Sequence, residues 1–429
     1  MSVQVSKPHL SEVQALEVVR RLYGLEVSTV RPLPSYEDQN FYVAAAPGLG
    51  GEYLLKVTNA EDSKDTALVG VQTHTMRYLR ERGVPTQDRR AHRGGGAHEP
   101  PRDRYTTTTT PSDIMGVTHC GFGCQKYLVR LLTYLPGTTI SKVPTSPQLL
   151  YEVGKMAAWT DKFLLEMDHP HLSALQRDTF IWNLSNVPLL EGYIHNMDGD
   201  PLQGVVKAVL KEFKTSVLPN RPAFRKCINH GDFNNLNILV EPDESSGGNH
   251  RISAVLDFGD MSSGYYVYEL AISIMHMMME HPDPVAVGRP IMEGWESVVP
   301  LNREERDCLY LLVLCRFCQA LVMARHMVKL HPENEEYLMI TSQKGIHILR
   351  QLWDLGKAAV ERVWFQNEQA KAETAGDRQE MGGERGDDTQ QGAAGRIRTR
   401  AAAARTQPRY MGRQLYPLSY PGAPRQLDS

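Results

Sequence analysis

A chain of 429 residues is long enough for two to three domains of ordinary size. It is 41% hydrophobic and 23% charged, and Lys+Arg 47 against Asp+Glu 50 gives a formal net charge of −3. These values disfavour collagen, coiled-coil and globally disordered classes, and they lack the basic excess of a general nucleic-acid binder. Basic charge is local: after position 395 there are seven arginines and one acid, Asp428. Six cysteines in so long a chain do not suggest a disulfide framework. Cys315 and Cys318 lie in LLVLCRFCQALVM, an apolar helical pattern where buried thiols are ordinary. The N-terminal MSVQVSKPHLSEVQ has no apolar signal region, and no uninterrupted run of 18 apolar residues occurs. The expectation is a reduced, cytoplasmic protein with no membrane and no nucleic-acid partner.

Along the chain, Ser11-Glu12-Val13 opens a helix with Val13, Leu16, Val19 and Leu22 as its apolar positions. FYVAAA (41–46) and EYLLKV (52–57) read as an antiparallel hairpin across a glycine-rich turn. A helix follows at about 66–82, closed by Gly83 and Pro85. Residues 88–122 are rich in Gly, Pro, Arg and Thr without a hydrophobic period, and they read as an irregular insertion before the strand YLVRLLTYL at 127–135. Ser146 as N-cap and Pro147 at the first position start a long helix. Further helices are expected at 203–217, 266–280, 304–330 and 334–364. Between them, the strand-like runs 237–240 and 252–256 flank a polar turn. Residues 1–135 and 136–365 form two parts, and 366–429 is a tail too poor in large apolar residues to fold alone.

The densest chemistry is His230-Gly231-Asp232-Phe233-Asn234-Asn235-Leu236-Asn237, followed by Asp257-Phe258-Gly259-Asp260. A hairpin return would bring Asp257 beside Asn237. One carboxylate near a hydroxyl, with an amide oxygen and a second carboxylate able to share a magnesium ion, suits phosphoryl transfer. His-Gly-Asp alone is a common turn and Asp-Phe-Gly alone a weak tripeptide. In this order, between short strands and ahead of helices, the combination is specific.

This layout resembles the aminoglycoside phosphotransferase and choline kinase-like families of the protein-kinase-like superfold. The resemblance implies an α+β, bilobal fold with a small antiparallel-sheet N-lobe, which binds nucleotide, and a larger, mainly helical C-lobe. It implies Asp232 as catalytic base, Asn237 and Asp257 as magnesium ligands, and His230 as a structural brace of the catalytic loop. It also implies Lys56 as the lysine that grips the nucleotide phosphates. The loop 33–40 occupies the place of the phosphate-covering loop, where Ser35 and Asn40 could exchange hydrogen bonds with the donor. One departure stands out: the helix after the lysine strand has Gly70 where a glutamate partner of Lys56 is expected.

The segments VRPLPSYEDQNFYV, FIWNLSNVPLL and INHGDFNNLNIL are similar to the hydroxylysine-phosphorylating branch of the family. That likeness covers about residues 7–87 and 126–366. It implies a small-molecule acceptor, 5-hydroxylysine, and GTP as the phosphoryl-donor cosubstrate, in lysine degradation. Held against a carboxylate-poor surface such an acceptor would bind badly, so Asp260, Tyr265, Tyr266 and Glu269 are candidate acceptor contacts. Other amino alcohols (choline, ethanolamine, homoserine or an aminoglycoside) remain alternative acceptors. A third reading, prompted by Gly70 and the insertion, is a kinase fold weakened in catalysis that acts as a binding or scaffold protein.

Overall fold

The first helix, α1 (Glu12–Tyr23), is opened by a capping box: Gln14 N donates to Ser11 Oγ, and Ser11 N donates to Gln14 Oε1. Its buried residues are Ala15, Val18, Val19 and Tyr23, whereas Val13 is 74% exposed. The expected stripe is therefore rotated. The row 15, 18, 19, 22, 23 is the longer apolar face, and it wins the contact with the sheet.

That sheet has the order β1-β2-β3-β5-β4, all antiparallel, from β1 (Val27–Leu33), β2 (Gln39–Ala45), β3 (Glu52–Val57), β4 (Ile114–Thr118) and β5 (Cys124–Thr133). β2 and β3 are the expected hairpin; β1 is an addition. β4 falls inside the segment expected to be irregular, so that expectation is corrected for residues 114–118: the run pairs with β5 from Ile114↔Leu128 to Thr118↔Cys124. A computed structural model is the basis of this description. It describes residues 7–35, 37–90, 114–118, 124–244, 248–330, 332 and 335–365, so most of the expected insertion and the 366–429 tail lie outside it. All described residues belong to one compact unit, Met1–Lys371.

Side chains alternate across the sheet. Phe41, Val43, Tyr53, Leu55, Val57, Val129 and Leu131 pack with α1 in one core. On the opposite face Asn40, Lys56 and Arg130 form a row, because Asn40 pairs with Lys56 and Lys56 with Arg130. Between β3 and β4 in the chain runs α2 (Thr66–Arg80), with the Asp65 side chain accepting from Leu68 N as its cap.

The remainder is mainly helical around a second, larger core. After β6 (Thr138–Thr139) comes α3 (Pro147–Leu165), capped by Ser146 as expected. Then follow 3-10 turns, α4 (Gln203–Glu212), a π-turn and the single turn α5 (Leu218–Asn220). Four short strands come next: β7 (Lys226–Asn229), β8 (Ile238–Pro242), β9 (His250–Val255) and β10 (Ser262–Tyr265), pairing as β6-β8-β9 and β7-β10. Five helices close the described chain: α6 (Tyr266–Met278), α7 (Gly288–Glu296), α8 (Arg303–Leu330), α9 (Glu335–Leu355) and α10 (Lys357–Trp364). The expected single helix over 334–364 is thus two helices, parted at Gly356.

α3 and α7 meet backbone to backbone. A Cβ on Gly154 would collide with the Ile291 carbonyl, and one on Gly294 with the Tyr151 carbonyl. α8 is long and apolar enough to cross a membrane by length and composition alone, but 89% of its apolar window is buried inside the protein. The charged residue that interrupts its apolar run is Arg316, and that residue belongs to the site. Cys227, Cys308, Cys315 and Cys318 are buried and free. The architecture is the expected one: a small antiparallel-sheet lobe and a larger helical lobe.

Candidate active site

β3 delivers Lys56 to the face of the sheet that α1 does not cover. Its Nζ lies 2.6 Å from Asp257 Oδ1 and 3.1 Å from Asp38 Oδ2, and the residue is 5% exposed. Burial alone would lower the ammonium's pKa; Asp257 and Asp38 outweigh it and raise the value. Lys56 therefore does not lack an acidic partner, as Gly70 had suggested. α2 reaches the site through Gln72 instead, whose Nε2 donates to Gly259 O at 3.0 Å.

Asp257 follows β9 in a left-handed conformation, φ 55°, which costs a residue with a Cβ about 1 kcal/mol or more. The turn aims its carboxylate back at Lys56, and Oδ1 also accepts from Gly259 N at 3.1 Å. Burial would raise this carboxyl's pKa, but the Lys56 ammonium prevails and holds it down to about 2. Asn237, at the mouth of β8, is next to this turn: its carbonyl accepts from Leu256 N at 2.8 Å. The Asn237 amide nitrogen donates to Asp232 Oδ2 at 2.8 Å and to Asp232 O at 3.1 Å. Its Oδ1 is the atom of that side chain suited to a hard cation. Lys56, Asp232, Asn237 and Asp257 are thus brought together.

His230 is completely buried. Its Nδ1 accepts from Asp232 N at 3.2 Å and its Nε2 faces Leu256 O at 3.0 Å, so the ring is assigned as the Nε2–H tautomer. Phe233 and Phe258 hold it edge-on. It ties the loop of Asp232 to the strand that leads into Asp257. Gly231 has φ 82°, and a Cβ there would lie 2.5 Å from Asp260 O. No other residue type fits that close approach without movement.

The remaining candidates are placed differently. Ser35 is spent within its own loop, donating from Oγ to Asp38 O at 2.6 Å while its carbonyl accepts from Lys7. Asn40 keeps a buried Oδ1 with no hydrogen-bond partner among the described residues, directly across from Lys56. Asp260 stands close enough to Asp232 that burial, with that neighbouring charge, pushes its pKa well up; Arg177 and Arg316 oppose the rise. Tyr265 packs edge-on against Phe224 and Tyr268, and Tyr266 is buried beside Trp295. Glu269 is fully buried, and Gly231 N donates to its Oε2 at 2.9 Å. That places Glu269 beneath the loop as its support, and burial raises its pKa.

Two arginines of the site escaped the sequence reading. Arg316, 3% exposed, donates to Asp232 Oδ1 at 3.3 Å, to Gly231 O at 3.4 Å and to Trp182 O at 3.0 Å, with its guanidinium 5.1 Å from the Trp182 ring centre. The available signal was a lone charge inside an apolar helix, which needs a buried partner. Arg177 donates to Gly259 O at 3.0 Å and reaches Asp62 at 3.4 Å. Nothing in its local sequence marked it.

The arrangement offers one carboxylate held in place on two sides, a buried lysine between two acids, and an amide oxygen next to a carboxylate. That equipment can position an anionic donor and orient an acceptor hydroxyl. A phosphotransferase enzyme family model matches residues 29–306. The chain is 55% identical over 371 residues to the hydroxylysine kinase of Danio rerio, covering 86% of this chain and 99% of that protein. To the hydroxylysine kinase of Bos taurus it is 46% identical over 372 residues, covering 85% and 95%. Among solved structures, an amicoumacin kinase in complex with AMP-PNP is similar in fold, with a TM-score of 0.56, 14% identity and coverage of 78% of this chain and 94% of that one. A microcompartment-associated aminopropanol kinase has a TM-score of 0.51, 15% identity, and coverage of 80% and 98%. With the kinase-like fold and these relatives together, the chain belongs to the phosphotransferase enzyme family and, within it, to the hydroxylysine kinase group of enzymes that phosphorylate a hydroxyl acceptor.

Proposed function

We propose that this enzyme transfers the γ-phosphate of GTP to the side-chain hydroxyl of 5-hydroxy-L-lysine. The observation that carries the chemistry is the pairing of Asp232 with Asn237 at 2.8 Å beside the Lys56–Asp257 contact at 2.6 Å. The acceptor follows from the relatives that cover nearly their whole length in this chain. Asp232 is read as the catalytic base: its carboxylate would take the acceptor hydroxyl within hydrogen-bond reach, about 3 Å, and receive or steer its proton. Lys56 would hold the donor's phosphates. The N-lobe to residue 135 is then the nucleotide-binding part and 136–365 the catalytic and acceptor-binding part.

The donor atoms present fit a magnesium ion. Asn237 Oδ1 is left over once its nitrogen serves Asp232, and Asp257 Oδ2 is left over once Oδ1 serves Lys56 and Gly259. No group of three His, Cys, Asp or Glu suited to a metal occurs among the described residues; two protein oxygens completed by phosphates and water suit magnesium. When bound, the ion would neutralise charge on the donor phosphates. His230 and Arg316 would keep Asp232 in its orientation throughout. A cytoplasmic, reducing setting accords with the four buried free thiols.

The test is direct. Purified protein with GTP, magnesium and 5-hydroxylysine should form GDP and phosphohydroxylysine. Asp232→Asn should lower turnover by about 10³-fold with the fold intact. A panel of GTP and ATP against 5-hydroxylysine, ethanolamine, choline and homoserine should single out GTP and 5-hydroxylysine. Equal or better turnover with another acceptor would reject the assignment.

A further inference from the structure

We propose that Asp38 is the acid that orients Lys56 toward the phosphoryl donor, a positioning role supplied by the β1–β2 loop and not by α2. The inference deepens the kinase reading and rests on it.

α2 cannot supply that acid. Its fifteen residues, TALVGVQTHTMRYLR, contain no Asp or Glu. Its contact with the site is the neutral Gln72, committed to Gly259 O. The loop supplies the charge by strand register. Asn40 pairs with Lys56, and Asp38 lies just ahead of β2, two residues before Asn40. Its Oδ2 reaches Lys56 Nζ at 3.1 Å, with the two side chains 17% and 7% exposed, where solvent screens the attraction little.

The two oxygens of Asp38 divide the work. Oδ1 accepts from Asn59 N at 2.8 Å and from Asn59 Nδ2 at 3.1 Å. Asn59 is itself fixed: it is 2% exposed, and its Oδ1 accepts from Glu61 N and Asp62 N, both at 3.0 Å. Asp38 is therefore clamped through one oxygen and free to hold Lys56 with the other. The consequence concerns Asp257. With Asp38 absent, the ammonium would have Asp257 as its sole close carboxylate among the described residues and would draw that group away from donor and metal. With Asp38 present, the ammonium is shared, and Lys56 lies between its two acids.

Asp38→Asn separates this role from loop pinning. The amide oxygen can still accept from Asn59, while the opposite side becomes an NH2 that cannot accept from an ammonium. In the full-length protein, Asp38→Asn should lower kcat/KM for the nucleotide by about 10- to 100-fold with the acceptor KM unchanged within about twofold. Asp38→Glu should recover part of the loss. Donor kinetics unchanged in Asp38→Asn would overturn the proposal. A lower donor KM would also overturn it, because Asp38 would then merely occupy the place of a phosphate. So would a loss of thermal stability matching that of Asn59→Ala, which reports pinning alone. If no acceptor is phosphorylated by the wild type, magnesium–GTP titration still decides: about tenfold weaker binding by Asp38→Asn supports the role, and equal binding rejects it.

Discussion

Replacing Arg316 with methionine removes a buried guanidinium and keeps much of its aliphatic stem. Three acceptors lose their donor: Trp182 O at 3.0 Å, Asp232 Oδ1 at 3.3 Å and Gly231 O at 3.4 Å. The last two bonds are long, so each contributes about 0.5–1 kcal/mol, and the shorter bond to Trp182 O about 1–1.5 kcal/mol. Loss of the guanidinium over the Trp182 ring removes about 0.5–1 kcal/mol more. Against this, the variant no longer buries an Nε that lacks a partner among the described residues. The net destabilisation is about 3 kcal/mol, within the range for breaking a buried charge network. Urea denaturation should show it as a lower midpoint at unchanged slope. Turnover should fall further than stability accounts for, because Asp232 is freed on the side facing α8. Arg316→Lys should fall between wild type and Met, since an ammonium cannot span the three acceptors. An unfolding free energy within about 0.5 kcal/mol of wild type, with kcat retained, would refute the account of Arg316 as the clamp of this loop.

Gly231→Ala should lose activity and destabilise the protein by about 2 kcal/mol or more, because the methyl group meets Asp260 O at 2.5 Å in a left-handed turn; a melting curve and a turnover assay report both. Acid should weaken the fold through His74. Burial, then the neighbouring His169 and Arg77, lower its pKa from 6.5 to about 4, and both ring nitrogens lack hydrogen-bond partners among the described residues. Between those values the unfolded chain binds the proton that the folded ring refuses, so His74's contribution is present above pH 6.5 and is lost as pH falls toward 4. His74→Gln should flatten the melting-temperature profile in that window; an unchanged profile would remove His74 as its source.

The parts of the site that could be read in advance are those encoded within short stretches. His230 to Asn237 and Asp257 to Asp260 each carry several polar residues at fixed offsets, and the β2–β3 hairpin carries its own turn. What escaped depends on distant pairings. Arg316 is 84 residues from Asp232, and Arg177 is 82 from Gly259. Asp38 looked like one more polar loop residue until β2 and β3 were in register. The substitution of Gln72 for Gly70 as the α2 contact is a matter of helix rotation: a shift of two residues turns a face by roughly 200°. α1 failed in the same way, since Val13 and Val19 cannot both face the sheet when Ala15, Val18 and Tyr23 do. Glu269 was chosen for its charge, but the helix that carries it is buried along its length, and its carboxylate finds a backbone N–H instead.

Gly259 O receives hydrogen bonds from Gln72 on α2 and from Arg177 of the helical lobe, and Arg177 also extends to Asp62 beyond β3. A single carbonyl therefore sits at the crossing of two lobes and the turn that carries Asp257. Any swing of the small lobe away from the large one must stretch one of these bonds or drag the turn with it. The angle between the lobes and the posture of Asp257 are, in effect, one mechanical coordinate. A ligand that fixes either one fixes the other, so tightening at the donor would be felt as closure around the acceptor.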